Sequence, residues 1–131
     1  MKYLCLAYYD VEKSAALPKP EFDAIVSRCP QYDAELRASG RLVLSCSLGT
    51  PESRMVVRPR SGRPPAVTDG PYAETKELVG GFFIIDAQDL NDAVRVASKH
   101  PAAHLGERIG WGIEVLPIDM FEQVTQPPKE I

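Results

Sequence analysis

The hydrophobic positions fall into two rhythms. Residues 2 to 9, KYLCLAYY, are apolar on both alternating faces, with Tyr3, Cys5, Ala7 and Tyr9 on one and Leu4, Leu6 and Tyr8 on the other, which predicts a central strand covered on both sides. From Pro20 to Ser39, Phe22, Ile25, Val26, Cys29, Tyr32 and Leu36 recur at steps of three or four. That spacing predicts one face of a helix, ended by a left-handed Gly40, with Pro30 producing a kink or two abutting segments. RLVLSCSLG (41–49) and SRMVVRP (53–59) read as strands. RSGRPPAVT turns at Ser61-Gly62 and returns as a short exposed arm whose Pro64 and Pro65 suit an edge. GGFFIIDA (80–87) is a further strand, because its consecutive large apolar residues must point to both faces of a sheet.

Asp89 is placed to cap a helix whose inward stripe is Leu90, Ala93, Val94 and Ala97, stopped by Pro101. Residues 102 to 112 form a glycine-rich connection around Trp111, IEVLPI (113–118) is the last strand and QPPKEI a loose tail. The order is β-α-β-β-α-β with an inserted hairpin and no internal repeat or linker, which suggests a ferredoxin-like α+β sandwich occupying 1–131 as one domain. Two helices cover one face of such a sheet, yet its first, fourth and fifth strands are apolar on both. A second copy packed sheet to sheet meets that need as a symmetric homodimer, unless the hairpin folds over part of the surface.

Composition narrows the function classes. At 131 residues, 44% hydrophobic and 25% charged, the chain can bury a real core. Its net charge of −3 provides no field for a phosphate backbone, so nucleic acid is not an expected partner. Cys5, Cys29 and Cys46 match neither a metal or redox pair nor a disulfide framework and read as small hydrophobes in a reducing cytoplasm. The start, MKYLCLAYYD, lacks the apolar stretch of a secretory signal, and no long apolar run marks a membrane span.

Candidate chemistry concentrates at TDGPYAETKE. Gly70 and Pro71 stiffen the turn, and Asp69 then serves either as a turn residue or as a general base at a cleft, with Tyr72 as a donor and Lys76 as a counter-charge for an acidic group. His100 and His104 have a metal-like spacing that Pro101 spoils, leaving His100 as a helix-end residue or as an acid or base. Arg54, Arg58, Arg60 and Arg63 read as a solvated hairpin edge. Trp111 reads as an aromatic plug over the core, with a pocket lining as the alternative. There is no nucleotide fingerprint, metal cluster or GxSxG serine, so no cofactor is expected.

MKYLCLAYYD, YDAELRASGRLV, TDGPYAETKELVGGFFIIDAQDLNDAV and IEVLPI together resemble the DGPF-type branch of the YciI-like (YCII-related) proteins, with Tyr72 where phenylalanine is usual. The resemblance implies a ferredoxin-like subunit of a dimeric α/β barrel, in a mostly bacterial and functionally uncharacterised group, some of whose members are encoded beside extracytoplasmic-function sigma factors. It also implies a histidine on the first helix and an aspartate in an Asp-Pro step after the second. Here Cys29 and the His100-Pro101 step stand at those places, so a rearranged Asp69–His100 pair is the expectation. The functional expectation is a small cytosolic acid/base enzyme for proton transfer, isomerisation or elimination on a small polar or anionic molecule. Its alternative is a non-catalytic ligand-binding or regulatory dimer.

Overall fold

The computed structural model describes residues 1–124, and the loose-tail expectation for QPPKEI lies outside them. Four strands, β1 (Lys2–Asp10), β2 (Leu42–Ser47), β5 (Glu77–Asp86) and β6 (Gly112–Pro117), form one antiparallel sheet in the order β2-β5-β1-β6. This is a ferredoxin-like α+β architecture. Between β2 and β5 the chain leaves to make a separate hairpin of β3 (Met55–Arg60) and β4 (Arg63–Asp69) around the Ser61-Gly62 turn.

The expected first helix is two abutting segments, α2 (Lys19–Ser27) and α3 (Cys29–Ala38), because Pro30 in the opening turn of α3 has no N–H to continue the ladder. Gly40 follows with φ +72°, the left-handed turn its position demanded. A further helix, α1 (Val11–Ala16), precedes them. Its start is set by Asp10, whose carboxylate accepts the Lys13 N–H at 2.9 Å.

Alternation along β1 and β5 divides the sheet. Tyr3, Cys5, Phe83 and Ile85 pair rung by rung and share a core with Leu36 of α3 and with Ala93, Val96 and Ala97 of α4 (Leu90–Ala97). Phe83 and Ile85 have no exposed surface, and burial of such side chains stabilises the fold by about 1.5–3 kcal/mol each. The opposite face carries Leu4, Leu6, Phe82, Ile84 and Leu116, none of which belongs to that core.

α4 buries Ala93 and Ala97 as its apolar spacing predicted, but its inward side is rotated away from Leu90 and Val94 toward Asp92 and Val96. Leu90 and Val94 are half exposed, whereas Asp92 is buried beside Ala93 and Val96. The cause is a satisfied carboxylate: Asp92 accepts from Arg41 Nη1 at 2.8 Å, from the Gln88 N–H at 2.9 Å and from Arg95 Nη2 at 2.9 Å. The Arg41 bond, reinforced by the Gln88 amide and Arg95, holds its pKa down from 3.8 to about 2. A carboxylate depressed in the fold contributes stability above its unfolded value and loses it as pH falls through the folded one. The melting temperature will therefore decline as pH drops from about 4 toward 2, and Asp92→Asn will flatten that part of a calorimetric pH series.

The hairpin is tied to the body by Arg54 rather than left as a fully solvated edge. Its guanidinium donates to Gly49 O at 2.9 and 3.1 Å and to Val79 O at 2.9 Å, and its own carbonyl accepts the Gly70 N–H at 2.7 Å. Arg58, Arg60 and Arg63 remain exposed as expected. No helix among the described residues is long and apolar enough to cross a membrane.

Candidate functional site

The core face of the sheet runs out of large side chains at one end. Beyond the Cys5–Phe83–Ser45 rung, the next inward positions are Ala7, Gly81 and Ser47. Gly81 is required here, because a Cβ on it would stand 2.8 Å from Cys46 O. The register also slips between Ala7 and Tyr8, leaving Gly80 unpaired with β1. Small residues on the floor, with α3 passing over them, leave a cleft of about 720 Å³. That is within the size range of small-molecule sites.

Its walls carry charge from two directions. Cys29, Asp33 and Arg37 follow one another at four-residue steps along α3, so all three lie on one side of that helix, and all line the cleft. His100 enters from the connection after α4. Pro101 starts a short 3-10 turn there, and His100 caps it by accepting the Ala102 N–H on Nδ1 at 3.0 Å. The imidazole lies flat on Phe83, with ring centroids 4.5 Å apart and planes 1° from parallel. Among the described residues no buried side-chain nitrogen or oxygen lacks a partner, and Nε2 has no partner among them, so it is an accessible nitrogen of a residue that lines the cleft.

This geometry fixes the protonation chemistry. With Nδ1 accepting, the neutral ring carries its proton on Nε2 and is a donor toward the cleft. Burial lowers the His100 pKa below 6.5, and the Asp33 carboxylate partly opposes that shift. Cys29 is pushed up by burial and then by Asp33, and its Sγ lies 3.7 Å from Ile25 O, so it stands as a protonated thiol. In a proton NMR titration His100 will therefore turn over below pH 6.5, and Asp33→Asn will lower that midpoint further by removing the opposing charge. Trp111 lines one side of the cleft, half buried with its ring against Gly106, and does not belong to the core cluster it was expected to plug.

The other residues singled out in the sequence lie elsewhere. Asp69 ends β4 opposite Met55, is exposed and does not line the cleft. Tyr72 is exposed under the Arg58 guanidinium, which is 4.2 Å from its ring centroid, and borders a separate depression of about 440 Å³ beneath the hairpin. Lys76 is exposed, and its carbonyl accepts the Val11 N–H at 2.9 Å. His104 stacks on Tyr32 at 4.9 Å with Nε2 2.5 Å from Ser98 O. No group of three or more His, Cys, Asp or Glu among the described residues is arranged to hold a metal.

The chain thus does not bring Asp69 to the cleft that His100 lines. It places His100 on the same cleft as Cys29, the two residues standing where the resemblance implied a pair, together with Asp33 and Arg37. Their only signal in the sequence was the fourfold spacing from Cys29, which charged residues on a helix also show when they are merely solvated.

Two comparisons bear on this arrangement. The YCII-related domain matches residues 1–111, a span that includes every charged group of the cleft. An uncharacterized protein of Rhizobium meliloti is 30% identical over 97 residues, which covers 74% of this chain and 77% of the relative.

Proposed function

This chain belongs to the YCII-related domain family, and from that footing we propose that its cleft is an acid/base site for a small anionic organic molecule. The observation that carries the reading is His100, held neutral with a donor nitrogen facing a cleft that also contains a carboxylate and a guanidinium. In this assignment Nε2–H donates to the ligand, Asp33 accepts and returns a proton, and Arg37 holds the ligand's negative charge. Asp69, Tyr72 and Lys76 stand outside this reacting centre and belong to the turn that we assign to the DGPF branch.

We further propose that the protein works in the cytoplasm as a homodimer, the second copy covering Leu4, Leu6, Phe82 and Leu116. Support for that part comes from the apolar sheet face lying opposite the helix-covered core. The ligand assignment is tested by calorimetry with malonate and succinate against uncharged diamides of the same length. The carboxylates are expected to bind, and Arg37→Ala to weaken them by about 10-fold or more, the worth of a charge-assisted hydrogen bond. Equal affinity for the diamides, or an unaltered affinity in Arg37→Ala, would remove the anion site.

A further inference from the structure

The cleft assigns its proton donor and its proton acceptor to different residues, and that division restricts the substrate. His100 cannot take a proton on Nε2 while Nδ1 is occupied by the Ala102 N–H, because the neutral ring already carries its hydrogen there. A neutral imidazole donor suits an oxygen that gains charge during reaction, as a carbonyl does on becoming an enolate. The base must then be another group. Asp33 is the one carboxylate among the described residues lining the cleft, and Arg37 is the one guanidinium or ammonium. Cys29 is no rival: its thiol is protonated and shares the wall with Asp33.

Resting on the acid/base reading above, we propose that the substrate is a small carboxylic acid bearing a ketone, and that the reaction is enolisation: Asp33 removes a proton from the carbon beside the carbonyl, His100 Nε2–H holds the carbonyl oxygen and Arg37 the carboxylate. The balance is closed within the site. The C–H bond breaks and its electron pair becomes the carbon–carbon π bond, while the carbonyl π pair moves onto the oxygen that His100 holds. The proton resides on Asp33 until it returns, either to the same carbon, which gives exchange with solvent and no net change, or to a conjugated one, which gives a 1,3-shift. No oxidant, reductant or metal takes part in these steps. The flat placement of His100 on Phe83 fixes the direction of the donor, so the ring need not reorganise as charge develops.

The test is hydrogen–deuterium exchange at the carbons beside the ketone, followed by proton NMR in D2O, with pyruvate, 2-oxobutyrate and 2-oxoglutarate as probes. Wild-type protein is expected to exchange at least one of them above the buffer rate. Asp33→Asn is expected to lower that exchange by at least about 100-fold while still binding the probe, since Arg37 is untouched. His100→Phe keeps an aromatic ring on Phe83 and is expected to lower exchange by a similar factor. If the probes bind and none exchanges, the ketone assignment is overturned while the anion site stands. If none binds, both fall. Undiminished exchange in Asp33→Asn or in His100→Phe overturns the division of roles.

Discussion

Phe83→Ala will cost about 3–5 kcal/mol of stability, the largest effect expected from any single truncation in this chain. Phe83 has no exposed surface, sits at the middle of β5 and pairs with Cys5 on one side and Ser45 on the other. These neighbours are too small to close over the cavity that alanine leaves, so both the lost transfer energy and the cavity term apply. For a chain of 131 residues this corresponds to a melting temperature lower by roughly 10–25 °C, read by calorimetry. The same substitution removes the platform under His100. At temperatures where the variant is still folded, ligand affinity will therefore fall along with stability, whereas Phe83→Leu will retain more of both. A drop of less than about 1 kcal/mol would mean that β5 does not carry the core described above.

The second large effect is expected at the opposite face of the sheet. Leu6 points away from the helices, next to Phe82 across one strand pair and Glu114 across the other. In a homodimer built on this face, Leu6→Lys introduces an ammonium into each half of the apolar contact, and symmetry doubles a penalty of several kcal/mol. Sedimentation velocity at micromolar concentration is expected to find the wild type as a dimer and Leu6→Lys as a monomer, with the far-ultraviolet circular dichroism unchanged. A monomeric wild type would overturn the dimer. So would a dimer that survives the substitution, since its interface must then lie elsewhere.

Much of the fold was legible because its strongest signals are local. The two-faced apolar runs of β1 and β5, the break before α3 at Pro30, the turn at Gly62 and the left-handed Gly40 each follow from a few neighbouring residues. The misread parts depend on partners distant in sequence. α1 is only 6 residues long, too short to show an apolar period, and its start is set by the side-chain cap from Asp10. The inward side of α4 is decided by Arg41, 51 residues away from Asp92, which makes burial of a carboxylate acceptable and leaves Leu90 and Val94 in solvent. Arg54 resembled its exposed neighbours until its bonds to Gly49 and Val79 were seen.

The site follows the same division. His100 drew notice as a titratable group at a helix end, and Cys29 by its place on the first helix. Asp33 and Arg37 were not singled out, because nothing near them in sequence reveals that Ala7, Gly81 and Ser47 line up beneath α3 to open a cleft. That alignment is a property of strand register. The turn at Asp69 drew attention instead, since its residues are distinctive as a string.

The most direct test of the account is to map where a small carboxylate binds, using amide and imidazole nitrogen correlation spectra of the wild-type protein titrated with malonate. The account expects shifts at Gly80, Gly81 and Ala102 and at the His100 Nε2–H, with Asp69, Tyr72 and Lys76 unmoved. Shifts gathered at residues 69 to 76, with His100 unchanged, would place the site at the hairpin turn and contradict the account.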